Sequence, residues 1–276
     1  MLPVSGGVTE TAWTTDLRSR IAAKSQAVQD DIPESQITAM DAWYTAEIAA
    51  GRLPATPAGG TGNWDQLLPL FGTSSIEAAT IAAIGTNATN VDGVDGDRDV
   101  VGRIVTDNSL FFNSNTALNS TEYSVVLSVS NPETTLGVWF GAKAAAGTIG
   151  NSRHALYVRS AGQLRGEGFT SLFTNVAQAS VTSGMYVHTS KDDAVNPTSD
   201  IYLNKVNVSS QSGGTQKLPS DTSIYWFGEN RSNDGTVSSP SSSTFQLVAM
   251  LNKELTFAEV ESVTDNLNAL LTAFGR

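Results

Sequence analysis

Carboxylates at alternate positions in a loop can surround a hard cation, and the run Asp92-Gly-Val-Asp-Gly-Asp-Arg-Asp99 offers Asp95, Asp97 and Asp99 in that arrangement. Counted from Asp95, the sixth position is Val100 where a calcium loop needs glycine, and the twelfth is Thr106 where it needs a bidentate glutamate. The plainer reading is an acidic surface turn ahead of the first sandwich strand. A retaining glycosidase needs two carboxylates about 5 Å apart, which on a sheet face reads as E-x-D-x-E or E-x-D-x-x-E. No such motif occurs; Glu122, Glu133, Glu167 and Glu229 each stand alone, as solvated strand-end or loop charges would. His154 and His188 have neither a G-x-S-x-G neighbour nor an acidic spacing that suggests a triad, and they read as surface or strand-edge residues. A non-enzymatic protein is therefore expected.

One long polar segment suits a different chemistry. Between Phe227 and Thr244 runs Gly-Glu-Asn-Arg-Ser-Asn-Asp-Gly-Thr-Val-Ser-Ser-Pro-Ser-Ser-Ser. Sugar hydroxyls pair with planar amides, carboxylates and guanidinium groups, while the CH face of the ring prefers an aromatic surface. Asn230, Arg231, Asn233 and Asp234 supply the first, and Trp226 or Tyr225 the second, although strand alternation sends one of these two rings inward. Such a loop is either a ligand site or a flexible serine-rich connection.

Composition removes several classes. With 27 acidic against 16 basic side chains the net charge is −11, and no lysine–arginine cluster in the sequence offers a path for a phosphate backbone, so no nucleic-acid partner is expected. Cysteine is absent, which removes disulfides, thiolate metal sites and cysteine nucleophiles together. A secreted eukaryotic domain of this kind more often carries a bridge, so a particle assembled in the cytosol fits better. No apolar run approaches the roughly 20 residues of a membrane span, and the first twenty residues do not read as a secretory leader. Export by lysis or as part of a particle is expected. At 276 residues and 40% hydrophobic, the chain can bury a substantial core.

These residues must be carried by regular elements. Leu17, Ile21 and Val28 share a helical face between Thr14 and Asp30, with Thr15 or Asp16 available as cap. Pro33 opens a second helix whose stripe is Ile37, Met40, Tyr44 and Ile48, and Gly51 closes it. The stripes are narrow, so Trp13, Leu17, Ile21, Trp43 and Tyr44 are expected to dock the N-terminal hairpin on a partner protein. Residues 51–62 hold two prolines and four glycines and read as a linker, dividing the chain into 1–59 and 60–276. Short helices are expected at Trp64 to Phe71 and Ile76 to Ile84. Beyond Gly85 helical periodicity gives way to alternating runs at 123–129, 136–140, 155–159, 184–188, 200–203 and 223–227, separated by Gly, Asn and Ser breaks. They imply a mainly β fold, an antiparallel β-sandwich. Its last strand, from Thr244, runs into an amphipathic helix: Thr256 and Glu259 have capping-box spacing, Leu255 and Val260 the staple positions, and Val260, Val263, Leu267, Leu270 or Leu271 and Phe274 the stripe.

Leu255-Thr256-Phe257-Ala258-Glu259-Val260 resembles the closing "L-T-x-A-E-V" of concanavalin A-like (laminin G-type) jelly rolls, as found at the C-terminal end of tailed-bacteriophage virion proteins. Asn63-Trp64-Asp65-Gln66-Leu67 is similar to the family's "Trp-Asp-x-Leu" segment, and Leu136-Gly137-Val138-Trp139 to its "L-G-V-W" strand. The resemblance covers about residues 60 to 276 and implies a jelly roll of two sheets, with no cofactor unless calcium, which laminin G-type domains sometimes bind. It further implies a virion structural protein, exposed extracellularly: a tail-fibre or receptor-binding component touching host-surface glycans, held to other virion proteins through residues 1–59. A homo-oligomer is expected, a trimer by family habit. A capsid decoration or head-fibre protein without ligand is the alternative, and a polysaccharide-degrading enzyme a more distant one.

Overall fold

A computed structural model describes residues 10–106, 110–117, 121–143, 153–159, 162–168, 174–175, 181–191, 193, 195–212, 223–231, 237–238 and 240–276. Three helices lead: α1 (Ala12–Ala22), α2 (Gln26–Asp31) and α3 (Glu34–Ala49). Strand β1 (Trp64–Leu68) and the single turn α4 (Ile76–Ala79) follow. Then come β2 (Thr89–Asn90), β3 (Ile104–Val105), β4 (Phe112–Ala117), β5 (Glu122–Asn131), β6 (Gly137–Lys143), β7 (Arg153–Arg159), β8 (Gln163–Glu167) and β9 (Thr174–Asn175). The last group is β10 (Gly184–Lys191), β11 (Thr198–Leu203), β12 (Val206–Ser212), β13 (Ser223–Trp226), β14 (Glu229–Arg231), β15 (Val237–Ser238), β16 (Thr244–Leu251) and α5 (Phe257–Ala273).

The strands form two sheets. The first runs β1-β16-β5-β10-β11-β12 with β3 beside β16; the second runs β2-β4-β13-β6-β7-β8-β9 with β14 and β15 at the end of β6. Every described pairing is antiparallel except β14 with β6. The inner faces meet in a core that includes Tyr123, Val125, Leu127, Trp139, Phe140, Leu156, Ile201, Trp226 and Phe245. The fold is a mainly β, antiparallel sandwich with a C-terminal helix, as the strand spacing implies.

A second core lies on the outer side of the first sheet, where Val126, Met185, Val187, Leu247 and Ala249 meet Val260, Val263, Leu267 and Leu271 of α5. The α5 N-terminus closes as its sequence dictates: the Thr256 hydroxyl accepts from Glu259 N, the Glu259 carboxylate accepts from Thr256 N at 2.9 Å, and Leu255 and Val260 are both buried.

Trp13, Leu17, Ile21, Trp43 and Tyr44 belong to this second core, which corrects the docking expectation. Trp13 stacks on Tyr44 at 5.9 Å and donates its indole proton to the Pro54 carbonyl at 2.8 Å. Trp43 meets Trp64 edge-on at 5.1 Å, and the Tyr44 hydroxyl donates to the Ala83 carbonyl at 2.8 Å. The narrow stripes need a partner surface, and the chain's own α5 and outer sheet face supply it.

The segment after α3 is held as firmly. Gly51 takes φ 71°, a left-handed closing conformation that costs glycine nothing. The next residue, Arg52, is buried and forks onto Glu47, with Nε and Nη2 at 2.7 Å from the two carboxylate oxygens. Glu47 also accepts from Trp64 Nε1 at 3.1 Å and Asn266 Nδ2 at 2.7 Å, so one buried carboxylate joins α3, β1 and α5.

Trp64 to Leu68 is a strand rather than the expected helix. Its apolar residues fit helical spacing, but both sides of the segment are buried, and pairing with β16 satisfies its backbone. The helix expected over Ile76 to Ile84 stops at Ala79 because Leu67 N and Ala83 N bond to Ile84 O and Leu67 O, drawing that stretch out along β1. Among the described residues no helix is long and apolar enough to cross a membrane.

Candidate functional site

The first sheet is covered by helices, so the second sheet offers the sandwich's other large face. Alternation sorts its strands cleanly. Phe140 and Ala142 of β6, Leu156 and Val158 of β7 and Leu164 of β8 point into the core, whereas Val138, Ala155 and Tyr157 form a small cluster separate from it, on the outer face. The outer positions of β7 include Ala155, Tyr157 and Arg159; those of β8 are Gln163, Arg165 and Glu167. Register pairs Arg159 with Gln163, Tyr157 with Arg165 and Ala155 with Glu167. Across the sheet the last row continues through Gly141 to Tyr225.

This hairpin runs from open to closed. Arg159 and Gln163 are exposed, Arg165 is half-buried, and Tyr157 and Glu167 are 5% and 4% exposed. An amide and guanidinium groups thus stand at the open end, where they can pair with sugar hydroxyls, while Tyr157 and Glu167 are buried behind them. Gly141 is closely packed on this side: a β-carbon there would stand 3.1 Å from Val138 Cγ1 and 3.3 Å from Glu229 Cα.

Beneath the hairpin, between the sheets, lies a polar layer. Tyr123 of β5 meets His154 of β7 and His188 of β10 edge-on, with ring centroids 5.5 and 5.6 Å away, and its hydroxyl donates to the Glu167 carbonyl at 3.1 Å. His188 Nε2 lies 2.9 Å from Ser199 Oγ. Both histidines are fully buried, not at a surface or strand edge as expected, because strand alternation turns them inward. Burial, with the neighbouring His154 charge, pushes the His188 pKa down to about 3. Burial, with the Glu167 charge, raises the Tyr123 phenol well above its ordinary value.

The low His188 value has a sign. The unfolded ring takes a proton below about pH 6.5 and the folded ring only near 3, so the full contribution to stability is present above 6.5 and is lost as pH falls through that window. Asp65, raised to about 6 by burial, acts oppositely: it is most favourable when protonated and weakens the fold as pH rises from about 4 to 6. Chemical denaturation between pH 6 and 4 is expected to show His188→Gln losing about 1.4 kcal/mol less per pH unit than the parent chain. Asp65 is common to both proteins and drops out of that difference. Identical slopes would show that the ring is not held neutral by the fold.

The sequence candidates fall in different places. Trp226 is buried in the sandwich core, its indole donating to Gln66 Oε1 at 2.8 Å, so it is no sugar platform; Tyr225 is buried against Phe111 at 4.9 Å. Asn230 and Arg231 lie in β14, in register with Ala142 and Lys143 of β6. Asn233 and Asp234 lie outside the described residues.

Asp95, Asp97 and Asp99 do not converge. Asp95 accepts from Ile76 N and Asp97 from Val94 N, each at 2.8 Å, while Asp99 accepts from Val101 N at 3.1 Å and pairs with Arg103. Among the described residues no three His, Asp or Glu side chains are grouped to hold a metal ion. The spacing that suggested calcium is spent on turn amides.

The isolated glutamates are not solvated charges either. Glu133, Glu167 and Glu229 are buried. Glu133 accepts from Trp139 Nε1 at 3.0 Å, Ser241 Oγ at 2.8 Å and Ser242 N at 2.8 Å, clamping the base of the polar segment that enters β16. Tyr157, Gln163, Arg165 and Glu167 were missed as candidates. Their signal was the alternation in Arg-His-Ala-Leu-Tyr-Val-Arg, whose polar set shares one side with Tyr157.

No family model matches the chain, and no curated protein matches it either. Solved structures do share its fold. A Trypanosoma rangeli sialidase in complex with 2,3-difluoro-KDN superposes with a TM-score of 0.54 at 14% identity, over 85% of this chain and 39% of the sialidase. A Ruminococcus gnavus IT-sialidase CBM40 bound to alpha2,3 sialyllactose gives 0.43 at 16% identity, over 55% of this chain and 86% of that one. The chain thus spans about two fifths of the first neighbour's length. The T. rangeli likeness shows a shared β-sandwich and overturns the expectation of a non-enzymatic protein: sialidases are enzymes, so this fold does not set the chain apart from them.

Proposed function

We propose that this chain is a glycan-binding β-sandwich displayed on a tailed-phage particle as a tail-fibre or receptor-binding component. The observation that carries the glycan reading is the outer face of β7 and β8, where exposed Arg159 and Gln163 and half-buried Arg165 stand on adjacent strands ahead of buried Tyr157 and Glu167. The particle setting is supported by the resemblance of Leu255 to Val260 and Leu136 to Trp139 to virion jelly rolls. Contacts of this size are individually weak and gain strength when many copies engage one surface.

A glycan array probed with the purified chain is expected to show binding that Gln163→Ala and Arg165→Ala each weaken by about tenfold, the loss of one charged or amide contact. In the same study, labelled antibody is expected to mark the tail of intact particles. An array with no binding by the parent chain would overturn the glycan reading, and label confined to the capsid would overturn the fibre assignment.

A further inference from the structure

We infer that the helices over the first sheet hold a small-molecule site, and that its ligand is a benzene-sized apolar ring carrying one hydrogen-bond acceptor, such as a ketone oxygen. The site is separate from the glycan-binding face and does not depend on it. Between α3 and α5 lies a partly open groove of about 140 Å³, walled by Ala42 and Ala46 of α3 and by Ala269 and Ala273 of α5, with Trp43 and Asn266 also in its lining. These residues recur at three- and four-residue steps, so each helix turns one face to the groove.

Alanine is the best helix former, and exposed alanines alone say nothing about binding. The indole of Trp43 does. Trp43 is 3% exposed, and its Nε1–H meets no acceptor among the described residues. The chain has five tryptophans, and the indoles of the other four, Trp13, Trp64, Trp139 and Trp226, all donate at 2.8 to 3.1 Å. A buried donor without a partner costs the fold, and a ligand oxygen removes that cost. The groove's own side chains do not supply one. Its single side-chain acceptor is Asn266 Oδ1, and that amide is anchored by Nδ2 donating to Glu47 Oε1 at 2.7 Å. The alanine walls offer only methyl groups, so the rest of the ligand is apolar. Its size follows from the volume, since an apolar cavity of about 150 Å³ takes up benzene.

Nuclear magnetic resonance of the full isotopically labelled chain, titrated separately with cyclohexanone and with benzene, tests this. Both are expected to shift the amides of the groove's lining residues, and cyclohexanone to move the Trp43 indole proton downfield. Ala269→Leu fills the groove from an exposed helix position; it is expected to weaken both ligands more than tenfold and to leave the melting temperature in place. Trp43→Phe is expected to weaken cyclohexanone about fivefold and benzene not at all, the loss of one hydrogen bond. Should Trp43→Phe be unfolded, the indole proton of the parent chain and Ala269→Leu decide. Lining amides unmoved by either ligand, or binding that survives Ala269→Leu, overturns the site. An indole proton that lies upfield over the Trp64 ring and stays there as cyclohexanone is added shows that the ring already satisfies it, and overturns the inference.

Discussion

Glu47→Ala is expected to destabilise the whole chain by about 3–5 kcal/mol, read as the shift in a urea unfolding curve. The carboxylate is fully buried and accepts from Arg52, Trp64 and Asn266, so its removal strands a buried guanidinium together with two further donors. The double variant E47A/R52M, which removes both charges, is expected to recover part of the loss. Because those partners sit on different elements, unfolding is expected to remain a single transition. A loss under about 1 kcal/mol, or early separate melting of residues 10–53, would show instead that the N-terminal helices are an independent arm.

Trp226→Ala is the second large effect, expected to cost about 3–5 kcal/mol. It opens a cavity beside Phe140 and leaves Gln66 Oε1 without its indole donor, while Gln66 Nε2 continues to hold the carbonyls of Thr86 and Ser114. Trp226→Phe keeps most of the volume, and its loss of one buried hydrogen bond is expected to cost about 1–3 kcal/mol. A sugar platform behaves in the opposite way: alanine would leave the melting temperature in place and abolish binding. Thermal melts beside glycan binding separate the two roles.

Local chemistry made the C-terminal region legible. The Thr256–Glu259 box, the Leu255–Val260 staple and the stripe behind them are all decided within a few residues, and the structure repeats them. Trp64 to Leu68 was misread because its spacing fits a helix equally well, and only pairing with β16, distant in sequence, selects a strand. The buried glutamates were illegible for the same reason: Glu47 meets Asn266 and Glu133 meets Ser241, across 219 and 108 positions. Trp13 and Trp43 were correctly seen to need a partner surface, but a stripe of side chains does not say that the surface belongs to the same chain. The outer face of β7 was visible as alternation. That it is a candidate binding face follows only once the helices are seen to cover the other sheet.

Nuclear magnetic resonance titration of the isotopically labelled chain with a glycan taken from the array tests the central claim most directly. Amide shifts clustered at Tyr157, Gln163, Arg165 and Glu167, with α3 and α5 silent, are the expected result. Shifts centred on the helices, with the β7–β8 hairpin unmoved, would contradict the assignment of the binding face to the second sheet.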